Sequence, residues 1–201
     1  YQLAIHGNGD AAIENIIDAF TAAQLVHPVD DPRMILIHAQ MAREDQLGRM
    51  KTAGITPSFF SAHTWYWGDR HRDVFIGPER AAVISPARWA IENGLRFSSH
   101  LDTPVTPIAP LQAVWSMVHR RTRSGDVLGP EQRLTVLEAL RAVTIDAAWQ
   151  VRQESNRGSL EPGKYADLVI LGDNPLAADV DLREIDIEQT LVGGVTIYRR
   201  P

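Results

Sequence analysis

Four short apolar runs, each ending at or near a histidine or an aspartate, constrain this chain more than anything else in it. Leu3-Ala4-Ile5 leads to His6, and Met34-Ile35-Leu36-Ile37 leads to His38. Ile55 to Phe60 is followed by His63, and Leu95 to Ser99 runs out to His100 and Asp102. The spans between runs are long enough for a crossover helix, so the pattern predicts parallel βαβ units. A continuous apolar run such as 34–37 is the signature of a strand buried on both faces. Residues two apart on a strand share a side, so His100 and Asp102 point together if the chain stays extended to Asp102. In parallel α/β barrels the strand ends converge on one face, where the chemistry sits.

The intervening segments read as helices. Ile13, Ile16, Ile17 and Phe20 recur at helical spacing, with Asp10 placed to cap them. Arg43 to Ala53 is a second helix ended by Gly54, and Glu79 to Asn93 a third, broken near Pro86 and ended by Gly94. Helices are also expected over Ile108–Thr122, Pro130–Val143 and Asp146–Val151. The segment Trp65-Tyr66-Trp67 reads as an aromatic loop, either a substrate wall or internal packing. After residue 151 the pattern changes. Gly158–Leu171 reads as a β-segment, a Pro-Gly turn and a strand, and Thr190–Tyr198 as a hairpin about Gly193-Gly194. The expected division is therefore 1–151 and 152–201, with a structural role for the second part.

Composition narrows the chemistry. A net charge of -5 gives no basic footprint for nucleic acid. With no cysteine, a metal would have to be held by His, Asp or Glu. No apolar run approaches a membrane span, and a cytoplasmic location is expected. Tyr1 is not an initiator Met and already lies in a strand-like run, so the chain is expected to derive from a longer parent.

Two imidazoles and a carboxylate converging at strand ends would suit a divalent ion such as Zn²⁺. Each residue also has a plainer reading. A histidine at a strand end is commonly a hydrogen-bonded loop residue, and Asp102 before Thr103-Pro104 suits a turn or a cap. His27, His71 and His119 sit in polar contexts and are expected to be solvated. A metal-free α/β enzyme binding an anion after His6 is a further reading, although Gly7-Asn8-Gly9 is too short for a phosphate cradle.

Ile5-His6-Gly7-Asn8-Gly9-Asp10, Ile37-His38-Ala39-Gln40 and Ser99-His100-Leu101-Asp102-Thr103-Pro104-Val105 together resemble the later half of a metal-dependent amidohydrolase. The similarity is to the amidohydrolase-3, or YtcJ-like, branch, which includes N-substituted formamide deformylases. The stretch Gly158 to Leu168 resembles a segment found across the wider superfamily. The resemblance implies strands five to eight of a TIM-like (β/α)8 barrel, plus the C-terminal part of a small β-sandwich. It implies metal binding by His6, His38 and Asp102, with Asp102 also the proton shuttle, and either substrate contact or support of the ligands for His63 and His100; Trp65, from the aromatic segment, is a further candidate for substrate binding. The cofactor implied is one or two divalent ions, zinc foremost, and the reaction is hydrolysis of non-peptide C–N bonds in a small-molecule substrate.

The chain departs from the family in lacking a paired His-x-His, and its only lysines, Lys51 and Lys164, are at no strand end. The expectation is a C-terminal fragment, inactive alone, that is completed by its N-terminal half or by a second copy. The alternative is a non-catalytic fragment or oligomerisation module with a vestigial site, its exposed half-core driving assembly.

Overall fold

A computed structural model describes all 201 residues. Its first part alternates strand and helix. β1 (Ala4–Gly7), α1 (Asp10–Val26), β2 (Met34–His38), α2 (Glu44–Ala53) and β3 (Ile55–Phe59) follow in turn. Then come α3 (His63–Arg70), a π-helical turn (His71–Phe75), α4 (Gly77–Ala82), α5 (Ala87–Glu92) and β4 (Ser98–Ser99). The four strands form one parallel sheet in the order β1-β2-β3-β4. Further helices are α6 (Pro110–His119), α7 (Val136–Ala142) and α8 (Ile145–Gln150). β5 (Leu168–Leu171), β6 (Ile187–Val192) and β7 (Val195–Arg199) make a separate antiparallel sheet. No helix is long and apolar enough to cross a membrane.

The apolar spacing of α1 does what it predicts. Ile13 and Ile17 are fully buried in the core cluster that also holds Leu36 and Met34 of β2, with Ile16 and Phe20 packed alongside. The helix starts one residue earlier than the capping argument implies. Gly9 is the N-cap, and Asp10 sits in the first turn with its Oδ1 accepting from Ala11 N at 3.0 Å. There its charge meets the positive end of the helix.

Three expected elements are redrawn. The fourth strand is only Ser98–Ser99, because Leu95 N–H donates back to Ala90 O at 2.8 Å and Arg96 O accepts from the Thr56 hydroxyl at 2.7 Å. The one Leu95 hydrogen is thereby used within the preceding turn, and the Thr56 hydroxyl takes the place of a strand partner at Arg96 O. β4 therefore first pairs opposite Ser58, and Pro57 can occupy the middle of β3 without removing a ladder bond. The aromatic segment at 64–67 is helix α3 and not a loop. Pro130 heads a 3₁₀ turn, and α7 begins instead at Thr135, whose hydroxyl and Glu138 form a reciprocal capping box.

In the tail, the expected β-segment at Gly158 is a turn, whereas the hairpin at Gly193-Gly194 forms as predicted, with φ of 56° and 82°. The Gly158–Leu168 stretch is held for identifiable reasons. Lys164 Nζ reaches Ser159 Oγ and the Glu161 carboxylate, both at 2.6 Å, and Asp167 Oδ1 accepts from Gly193 N at 2.9 Å. Farther along the tail, Leu182 and Ile185 are buried in the same cluster as Trp115 and Met117 of α6. Val169, Ile170, Val195 and Ile197 of the antiparallel sheet are exposed.

Gly158 has φ +89°, and a Cβ there would meet Ala148 Cβ at 2.7 Å and Ile145 Cα at 2.9 Å. Both the backbone and the space require glycine. Gly158→Ala is expected to destabilise the chain by about 1–3 kcal/mol, read as a lowered midpoint in thermal or urea unfolding. An unchanged midpoint would show that α8 does not need this close approach.

Candidate metal centre

Parallel pairing matches Gly7 to His38, so His6 and His38 lie on adjacent strands at the same edge of the sheet. His38 is the last residue of β2, with φ +73°, and Ala39 follows at φ +45°. A histidine in the left-handed region is uncommon, and such strain persists only where the surroundings hold it. Here Gln40 O accepts from Ser85 N at 2.7 Å, and Met41 N donates to Asn8 O at 2.9 Å. Ser85 sits in a turn fixed by the buried Arg120, whose guanidinium donates to Ile84 O at 2.9 Å and Leu128 O at 2.7 Å.

His100 follows β4 and continues its pairing, its N–H donating to Phe59 O at 2.9 Å. The chain then turns. Asp102 has φ +52°, and its carbonyl accepts from Val105 N at 2.8 Å. Extended backbone therefore does not persist to Asp102, and the turn rather than the strand period sets its position. Ligand atoms of His38, His100 and Asp102 nevertheless lie within 4.8 Å of one another. His6 is outside that compact group, and its ring meets His38 edge-on at 4.7 Å between centroids.

Five of the seven histidines join in one cluster. His38 also stacks on His63 at 6.0 Å and faces His100 at 4.9 Å, and His63 contacts His71 at 5.8 Å. The expectation that His71 is solvated is corrected. It opens the π-helical turn, is half-buried, and its Nε2 lies 3.0 Å from Gln40 Nε2. Such π-turns frequently mark functional sites. Nothing in the local sequence announces this, since the approach of His71 depends on the helical turns that carry it eight residues past His63. His119 is likewise not free in solvent. It packs on Trp115 at 5.3 Å, whereas His27 is exposed as expected.

The structure does not bring Trp65 to the cluster. Its ring meets Trp115 at 5.2 Å, and Arg183 from the tail lies over both rings, at 5.3 and 4.0 Å. Trp67 takes the expected place. One helical turn after His63, it packs edge-on against that ring at 5.2 Å, with Phe60 4.3 Å from His63 on another side.

Burial keeps four of these imidazoles, those of His38, His63, His71 and His100, uncharged. It lowers the His38 pKa, helped by the neighbouring His6 and opposed by Asp102. Burial, then His38, brings His100 down to about 4. Burial, with His71, His38 and His100 behind it, brings His63 to about 3, and burial lowers His71. At neutral pH each ring therefore keeps a bare nitrogen. His63 Nδ1, His71 Nδ1 and Asn8 Oδ1 are buried without a hydrogen-bond partner. Lys51 and Lys164 are committed elsewhere, to Gly94 O at 2.7 Å and to the tail loop.

The sequence profile described as the amidohydrolase family matches residues 1–198. The N-substituted formamide deformylase of Arthrobacter pascens is 34% identical over 200 residues, covering 98% of this chain and 36% of the relative. The YtcJ protein of Bacillus subtilis (strain 168) is 27% identical over 208 residues, covering 99% of this chain and 38% of the relative. This chain thus spans little more than a third of the length of those relatives. Among solved structures, an uncharacterized metal-dependent hydrolase from Pyrococcus horikoshii OT3 superposes with a TM-score of 0.75 at 24% identity. The match covers 91% of this chain and 36% of that one.

An imidazole held neutral by the fold takes up its proton more readily when the chain unfolds. Between the ordinary value of 6.5 and the lowered folded values, the unfolded chain binds more protons. Stability of the metal-free chain is therefore full above pH 6.5 and is lost as pH falls below it. Urea midpoints are expected to drop between about pH 7.5 and 5, above the main carboxylate range, with a shallower drop in His63→Gln. Midpoints flat across this interval would contradict burial of the neutral cluster.

Proposed function

This chain belongs to the amidohydrolase family, and from that membership we propose that it is the C-terminal portion of a metal-dependent hydrolase of non-peptide C–N bonds. The observation that carries the reading is the convergence of His38, His100 and Asp102 within 4.8 Å at the strand ends of a parallel sheet. The donor set fits a divalent ion: the His38 imidazole with His6 beside it and the Asp102 carboxylate, with no thiolate, as zinc accepts. The unpartnered buried atoms of His63, His71 and Asn8 support a site that binds further groups.

In this reading His38, Asp102 and the adjacent His6 hold the ion. When bound, it supplies a Lewis acid that polarises a carbonyl and lowers the pKa of water toward roughly 7. Asp102, exposed on its turn, takes the proton of the attacking water on a carboxylate oxygen and returns it to the departing amine nitrogen. His63 faces the substrate, a small amide or related molecule, and His100 stands behind His38, its Nε2 3.2 Å from His38 Nδ1. Trp67 and Phe60 wall the site and exclude water from it.

The architecture belongs to the same proposal. β1 to β4 are the second half of a (β/α)8 barrel (residues 1–151), and β5 to β7 part of a small β-sandwich (152–201). The absence of any His-x-His supports this, as do the exposed Val169, Ile170, Val195 and Ile197, which another layer would cover. Activity then requires the rest of a longer protein or a second copy, and a cytoplasmic location is part of the reading.

In the complete enzyme, tested on N-substituted formamides by amine release, Asp102→Asn is expected to lower turnover by about 10²–10⁴-fold. Thermal stability should hold, because the side chain is exposed. Near-normal turnover would overturn the assignment.

A further inference from the structure

Behind His100 runs a buried hydrogen-bonded chain whose hydrogens follow from the heavy-atom positions alone. It begins at Gln150, the last residue of α8. Gln150 Nε2 lies 3.0 Å from both Pro57 O and Thr56 Oγ1. A carbonyl only accepts, so the amide nitrogen and not its oxygen faces Pro57. Thr56 has given its own hydrogen to Arg96 O, so it accepts too. The amide orientation is fixed, and Oε1 faces Ser98 Oγ at 2.6 Å.

An amide oxygen also only accepts, so Ser98 donates to it. Ser58 Oγ is 2.8 Å from Ser98 Oγ, whose one hydrogen is already used, so Ser58 is the donor. Ser58 Oγ is in turn 3.0 Å from His100 Nδ1. With no hydrogen left on Ser58, the hydrogen of this contact belongs to Nδ1. All four relay residues are buried, with Thr56 2%, Gln150 4%, Ser98 5% and Ser58 7% exposed, so water offers no alternative donor.

We propose that Gln150, Ser98 and Ser58 are positioning residues that hold His100 as its Nδ1–H tautomer and, through it, hold His38 with hydrogen on Nδ1 and a bare Nε2. His100 Nε2 is then unprotonated and lies 3.2 Å from His38 Nδ1. Two bare nitrogens at that separation repel, so His38 Nδ1 donates. The lone pair of His38 Nε2 is left free for an ion. Metal-binding histidines are commonly oriented in this way through their second ring nitrogen. His100 thus serves as the group that orients His38. The functional consequence rests on the metal-site reading, whereas the tautomers do not.

The test uses two-bond ¹⁵N–¹H correlation spectra of the ¹⁵N-histidine-labelled 201-residue chain, stripped of metal, at a pH where the rings are neutral. His100 and His38 are both expected as Nδ1–H. His100 found as Nε2–H, or as a mixture, overturns the relay. Ser98→Ala frees the Ser58 hydrogen to donate to His100 Nδ1. Both rings should then switch to Nε2–H, and affinity for Zn²⁺ should fall about tenfold or more. An unchanged His100 tautomer in this variant also overturns the relay. Switched tautomers with unaltered Zn²⁺ affinity uphold the relay and contradict the metal-site reading instead. Should the variant fail to fold, the wild-type spectrum decides alone.

Discussion

Parallel pairing of β1 through β4 brings four chain exits to a single edge of the sheet, and the meeting of His6, His38 and His100 depends on that register. Because Gly7 pairs with His38, two histidines distant in sequence become neighbours. Because β3 pairs with β4 only from Ser58 onward, the space beside Pro57 is left to Gln150 from α8. Burial at the ends of β2, β3 and β4 desolvates His38, His63 and His100 and keeps them neutral. The left-handed backbone at His38 is the local cost, held in place by Ser85 and, behind it, Arg120.

Much of this was legible because it rests on strong, short-range signals. The run Met34–Ile37 can hardly be other than a buried strand, and it delivers His38 directly. His6, His63 and His100 follow from the same pattern. The sequence predicts a longer fourth strand than forms, because Leu95 and Phe97 are apolar and buried without being laddered. Hydrophobicity reports burial and does not say which backbone groups pair. Asp102 is near His100, but by a turn rather than by the two-residue period.

The harder cases were tertiary. Trp65, Tyr66 and Trp67 are adjacent in sequence, and only the helical phase decides which one faces His63. That phase turns Trp67 inward and gives Trp65 to the docking of Arg183 against Trp115. His71 looks solvated in a run of charged residues until the π-helical turn places it beside Gln40. The relay from Gln150 to His100 joins residues 94 apart at one step, a span that no local pattern reports. The tail motif, by contrast, carries its reasons in its residues, with a close approach at Gly158 and a carboxylate at Asp167 that pins the hairpin.

The central claim is that this edge of the sheet holds a divalent ion. Elemental analysis of the purified 201-residue chain after equilibration with zinc, repeated on His38→Ala, tests it most directly. The account predicts about one ion per chain, lost in the variant. A chain that takes up no ion, or a variant that keeps its ion, would contradict it.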